Sequence, residues 1–295
     1  MRTGISKAQW LEKPELASLW KESFGDSSRY ISYFFNNLFL PENCMVFHDS
    51  GRIVSMLHML PAWIQDEDRL VQSHYIYAAA TRPEYRSRGY MGSLLRAALE
   101  EGKQRGDQYS FLLPANRGLY HFYSGFGYTV GFELRTLTVS RQEMEQIAAS
   151  GTVWQFLPDY SRIQQRRKEW LAGQSGSAQW DVRTIAYADG INRLEHGRLI
   201  CAMAKGKLAY ALCRPAGDPD ACEVLELVAE PETLPNLAAN LLDATSAAQY
   251  YLRLSGDNRL FPGQGRCAGF GMICSLADRI GLPSRQNPYL GLTLD

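Results

Sequence analysis

Residues 82–92 read RPEYRSRGYMG. Upstream, RLVQSHYIYAAAT (69–81) is an apolar run of strand character. Downstream, MGSLLRAALEEGKQRG (91–106) puts Leu94, Leu95, Ala98 and Leu99 on one face and stops at Gly106, as an amphipathic helix with a C-terminal glycine does. The stretch therefore joins a strand to a helix. A helix N-terminus carries unpaired N–H groups and the positive end of the helix dipole, so a glycine-opened turn there makes a phosphate seat. Gly89 and Gly92 let a ligand approach the backbone, and Arg86 and Arg88 add charge and bidentate donors, a set suited to a pyrophosphate. The stretch is not a P-loop, since the chain has no Gly-Lys-Ser/Thr, and it lacks the spacing and early position of a dinucleotide fingerprint.

The flanking segments predict an α/β unit. PELASLWKESFGDSSRYISYFFNNLF reads as two short helices broken at Gly-Asp-Ser, and NCMVFHDSGRIVSMLHMLPAWIQ as a hairpin with Gly51 at the turn position that needs positive φ. After the central helix come a buried strand (DQYSFLLPA), a short helix (RGLYHFYSGFG) and a strand (GFELRTLTV), which places a domain end at residue 140. Beyond it, QQRRKEW reads as a solvated helix face, and strands resume with RLICAMAKG, KLAYALCR, CEVLELVAE and YYLRLS. Both halves contain an apolar strand ending in Pro-Glu, then a helix, then an aromatic strand. The second copy is shorter and has no Arg/Gly loop, so it reads as a degenerate repeat.

The chain has 295 residues, 31 basic against 31 acidic, so no overall field attracts nucleic acid or an acidic membrane. The N-terminus lacks an apolar signal core, and no stretch approaches the roughly 20 apolar residues of a membrane span, which predicts a cytoplasmic protein. The six cysteines form no C-x-x-C pair and no zinc-finger spacing, so no metal is expected.

Pro83, Tyr85, Arg86 and Gly89 in TRPEYRSRGYMG resemble the acetyl-CoA motif Q/R-x-x-G-x-G/A of the GCN5-related N-acetyltransferases (GNATs). Met91 occupies the last small position and Gly92 falls one residue late, a departure similar to the "enhanced intracellular survival" subgroup, whose loops run Arg-Arg-Gly-hydrophobic-hydrophobic. The resemblance implies a GNAT fold, a mixed central sheet flanked by helices, over residues 1–140, with a degenerate GNAT-like domain over 141–295. It implies acetyl-CoA as co-substrate, held by Arg86, Arg88, Gly89, Met91 and Gly92, with Ala79, Ala80 and Thr81 of the preceding strand offering backbone to the pantetheine arm. It further implies that Tyr123, in LYHFYSGFGY, protonates the departing thiolate; Tyr120 is its rival on the same helix face. The resemblance implies a small-molecule or peptide amine as acceptor.

His58, His74 and Glu133 are open candidates for the base. The subgroup's use of a terminal carboxylate raises Asp295, although its third, sterol-carrier-like domain has no room in this chain. The second half is expected to wall the acceptor cleft, and oligomerisation stays open. Two alternatives stand beside the enzyme: a non-catalytic acyl-CoA-binding module, and a tandem-domain aminoacyl transferase, against which the balanced charge weighs.

Overall fold

Alternation along Arg52–Asp66 (β3) and Arg69–Thr81 (β4) closes these runs into one long antiparallel hairpin. In β3, Leu57 and Met59 point to one face and meet Leu94, Leu95 and Ala98, whereas His58 between them meets Trp20, Phe34 and Phe39 on the other. A strand with apolar partners on both faces belongs at the centre of a layered α/β unit.

The computed structural model describes residues 2–154, 157–277 and 288–294. Two compact units emerge, one reaching Gly131 and regaining the chain at Gly271, the other comprising Phe132–Phe270 and the chain's last stretch.

In the first unit, the other strands are Gly4–Lys7 (β1), Cys44–Asp49 (β2), Tyr109–Leu112 (β5) and Thr129–Val130 (β6). Its helices are Lys13–Phe24 (α1), Ser28–Asn37 (α2), Tyr90–Gln104 (α3) and Arg117–Ser124 (α4). The second unit holds the strands Glu133–Ser140 (β7), Arg198–Ala204 (β8), Lys207–Pro215 (β9), Ala221–Val228 (β10), Gln249–Leu254 (β11) and Arg266–Gly269 (β12). Its helices are Arg141–Ala148 (α5), Tyr160–Trp170 (α6), Val182–Leu194 (α7) and Leu234–Ala244 (α8). Met272–Ser275 (β13) returns to the first sheet.

The first sheet runs β1-β2-β3-β4-β5-β13-β6 and the second β12-β7-β11-β10-β9-β8. In each, one parallel pair, β4 with β5 and β10 with β11, is bridged by one helix, α3 or α8. The repeat expected from the two Pro-Glu segments is thus a repeated β-α-β crossover. The units also trade strands. β7 continues the first unit's sequence yet pairs with β11, and β13 continues the second unit's yet pairs with β5. The expected boundary at residue 140 therefore moves back to Gly131, because Glu133–Ser140 completes the second sheet.

The α6 segment corrects another expectation. Rather than a solvated face, Arg167 is 1% exposed and holds Glu226 at 3.1 Å, while Arg166 reaches Glu230 at 2.8 Å. Arg167 also donates to the carbonyls of Ala178 at 2.6 Å and Leu290 at 3.3 Å, and the Tyr210 hydroxyl donates to Glu226 at 2.9 Å. One guanidinium thus ties α6 to β10 and to the chain's end. Breaking a buried pair from one side strands the remaining charge. Arg167→Ala is expected to lower unfolding stability by about 3–5 kcal/mol, read as a lower urea midpoint, whereas Arg167→Met combined with Glu226→Gln recovers most of the loss.

Candidate active site

The β4–β5 ladder pairs only Ser73–Tyr75 with Tyr109–Phe111. Past Tyr75, β4 continues to Thr81 with β3 as its one strand partner among the described residues. The register against β3 also slips there: Met56 pairs with Ala80 but His58 with Tyr77, which gives β4 one extra residue, and Ala78 takes φ 46°. A non-glycine residue in that region costs on the order of 1–3 kcal/mol, a strain typical of functional bulges. This bulge re-aims Ala79, Ala80 and Thr81, the residues expected to face the pantetheine arm.

Arg82 then fixes the end of the strand. It is buried, donates from Nε to the Ile53 carbonyl at 2.9 Å and pairs with Glu22 of α1. Its role is structural, and nothing in the sequence separates it from Arg86 and Arg88, which are exposed. Arg86 Nε donates to the Thr81 carbonyl at 3.2 Å, and Arg88 donates to the Glu84 carbonyl at 3.0 Å while lying over the Tyr85 ring at 5.0 Å. Each guanidinium has five N–H donors, so both keep capacity for an anion.

Gly89 caps α3 with φ 82°, and a Cβ there would meet no atom within 4 Å. The glycine serves conformation and leaves open space outside the helix end. The amides of Tyr90, Met91 and Gly92 follow it, ahead of the first α-helical bond, Ser93 N to the Gly89 carbonyl at 3.0 Å. The next two residues differ from expectation in their side chains. Met91 packs against the core cluster around Leu94 and Leu95, and Gly92 is buried where a Cβ would lie 3.0 Å from Phe126 Cζ. Gly92 thus admits the Phe126 ring, and only the backbone amides of these two residues remain for a ligand.

The Acetyltransferase (GNAT) domain family matches residues 5–131, which contain this whole constellation. Those residues form a GNAT domain. Solved structures share the fold over both units. A GCN5-related N-acetyltransferase from Kribbella flavida is 17% identical with a TM-score of 0.74, over 92% of this chain and 70% of its own. A probable N-acyltransferase from Enterococcus faecalis V583 is 16% identical with a TM-score of 0.69, over 94% and 73%. Eis1 from Mycobacterium abscessus is 13% identical with a TM-score of 0.68, over 93% and 74%. At such identities the likeness is one of fold, and it agrees with the tandem arrangement expected from the enhanced-intracellular-survival resemblance. No curated protein matches the chain by sequence.

Within the GNAT domain, Tyr123 and Tyr120 of α4 both pack into the cluster that includes Ile76 and Ala79 of the β4 segment beyond the β5 ladder. Tyr123 is 7% exposed, its hydroxyl makes no hydrogen bond among the described residues, and burial pushes its phenol up to about 12. The Tyr120 hydroxyl is half-buried and accepts from Gly271 N at 3.3 Å. The candidate bases fare differently. Glu133 lies in the second unit, and Asp295 lies outside the described residues. His74 is fully buried with Nδ1 2.7 Å from Asp107, and burial pushes its imidazole down against that carboxylate's pull. Burial opposes ionisation of Asp107 too, yet bonds from His74, Arg105 and Gln72 outweigh it and hold the carboxyl at about 2. His58 is 1% exposed in its aromatic box, and burial pushes it down to about 3. Both histidines are structural.

Unfolded imidazoles titrate near 6.5, so below that pH the unfolded chain binds protons that the folded chain refuses, and stability falls as pH drops toward 3. Each such histidine contributes a slope of about 1.4 kcal/mol per pH unit. His58→Phe keeps the aromatic bulk and removes one. Its urea stability is expected to decline less steeply than wild type between about pH 6.5 and 5; equal slopes would contradict a neutral buried His58.

No helix among the described residues is long and apolar enough to cross a membrane.

Proposed function

We propose that the chain transfers an acetyl group from acetyl-CoA to a primary amine by direct attack, without a covalent enzyme intermediate. The observation that carries this reading is the open, glycine-capped start of α3 at the end of the β4 segment that has β3 as its one strand partner among the described residues. The first-turn amides of α3, with Arg86 and Arg88, bind the pyrophosphate, and the backbone of Ala79–Thr81 pairs with the amides of the pantetheine arm as an added strand would. That pairing draws the thioester along β4 toward the splayed junction with β5.

There the amine nitrogen bonds to the thioester carbonyl carbon, and the oxygen gains negative charge that edge amides of β4 stabilise. Collapse breaks the carbon–sulfur bond and the sulfur takes the phenolic proton of Tyr123, while the proton shed by the attacking nitrogen passes to solvent and a solvent proton restores the phenol. A phenol held near 12 keeps its proton through the working pH range. Its hydroxyl also makes no hydrogen bond among the described residues, which favours it over Tyr120, whose oxygen is engaged with Gly271.

Tyr123→Phe removes the acid and leaves the ring. With an amine acceptor found by screening, it is expected to lower kcat by about 100-fold or more while acetyl-CoA affinity stays within twofold of wild type, and Tyr120→Phe is expected to keep most of the turnover. Loss confined to Tyr120→Phe would transfer the role to Tyr120. Binding of acetyl-CoA without turnover across a broad amine panel would favour a non-catalytic acyl-CoA module.

A further inference from the structure

The start of α3 carries a third cation that acetyl transfer as described does not use. Arg96 follows Gly92 by four residues on the same helix face, and a helical side chain runs back toward the N-terminus of its helix. Arg96 Nη2 stands 3.7 Å from the point that a Cβ on Gly92 would occupy, and its guanidinium lies over the Phe126 ring at 5.4 Å. The bare Gly92 backbone thus makes room for two groups, the ring and the cation. Both are set beside the first turn of α3.

This cation is held in place yet unspent. The acidic residues that follow it on α3 serve others: Glu100 accepts from Gln104 at 3.0 Å, and Glu101 pairs with Lys7 at 2.8 Å. Arg96 is exposed and forms no ion pair among the described residues. A ring under the plane of a guanidinium orients it without consuming the N–H donors at its rim. Arg86 and Arg88 differ, since each gives one donor to a carbonyl, that of Thr81 or of Glu84. The cations also stand apart. Gly92 is two residues past Tyr90, about 200° around an α-helix. Tyr90 packs on Tyr85, whose ring carries Arg88, so Arg88 and Arg96 flank the first turn from opposite sides.

Acetyl-CoA bears phosphate in two places, the pyrophosphate and a monoester on the ribose 3′ oxygen, with only the sugar between them. Resting on the acetyl-CoA reading above, we propose that Arg96 recognises the ribose 3′-phosphate, so that the chain takes free acetyl-CoA and discriminates against acetyl thioesters of pantetheine that lack this group. With the pyrophosphate on the first-turn amides, Arg86 and Arg88, a cation on the far flank of that turn reaches the monoester. A dianionic phosphate accepts both arms of the guanidinium fork, a match that a lysine ammonium cannot make.

The test titrates acetyl-CoA and 3′-dephospho-acetyl-CoA calorimetrically into the full chain and into Arg96→Gln and Arg96→Lys. Wild type is expected to bind acetyl-CoA about tenfold more tightly than the dephospho form, as one charge-assisted contact gives. Arg96→Gln should lower acetyl-CoA affinity to the dephospho level and leave the dephospho form within twofold of wild type, while Arg96→Lys keeps part of the preference. Undiminished preference in Arg96→Gln, or none in wild type, would overturn the assignment and leave the acetyl-CoA reading standing. Equal losses for both ligands in Arg96→Gln would overturn it too, since that is the mark of a residue that only supports the helix start. Wild type that binds neither ligand would overturn both readings.

Discussion

The first unit is organised around a parallel strand pair that stops early. β4 and β5 share a hydrogen-bonded ladder only from Ser73 to Tyr75, and α3 must still cross from the end of β4 back to the start of β5. Six residues of β4, Ile76–Thr81, therefore run on beyond that ladder with β3 as their one strand partner among the described residues. Buried polar backbone is costly to leave unmatched, so a free edge between strands is a site prepared for an extended ligand. The bulge at Ala78, the anchoring of Arg82 and the glycine at the head of α3 all serve that gap: one aims the strand, one fixes its end, and one opens the helix terminus beside it.

The second unit shows what the same architecture is without that preparation. β10, α8 and β11 repeat the crossover, and β7 takes beside β11 the place that β13 takes beside β5. Between β10 and α8, however, the chain has only AEPET, with neither glycine nor arginine, and α8 has proline in its first turn. Its interior is fixed by the buried Arg167–Glu226 pair. The two units thus share topology and differ in the chemistry at the helix start, so the phosphate-binding assignment belongs to the first unit alone.

How much of this could be read from the sequence depended on range. The Arg/Gly loop was legible because its signals are local: a positive-φ glycine, exposed arginines and a helix beginning within a few residues. The hairpin turn at Gly51, with φ 87°, was legible for the same reason. The destinations of Glu133–Ser140 and Met272–Ser275 were not, because an alternating strand carries no record of which sheet it joins. Arg167 looked like one more charge in QQRRKEW, since its partner Glu226 is 59 residues away in the chain. Ala78 gave no warning either, because alanine has no intrinsic preference for φ 46° and only the pairing on β3 imposes it. Met91 and Gly92 were read as one motif with Gly89, but each residue's side answers to its own neighbours, and the helix turns both toward the core.

The central claim is that the start of α3 and the edge of β4 together seat acetyl-CoA, and calorimetric titration of acetyl-CoA into the purified chain tests it most directly, beside the double substitution Arg86→Ala, Gly89→Glu. The glutamate places bulk and negative charge where the structure leaves open space. Binding by the wild-type chain with a loss of about 100-fold or more in the double variant is the predicted result, the equivalent of two charge-assisted contacts. Wild-type chain that ignores acetyl-CoA, or equal affinity in both, would contradict the account.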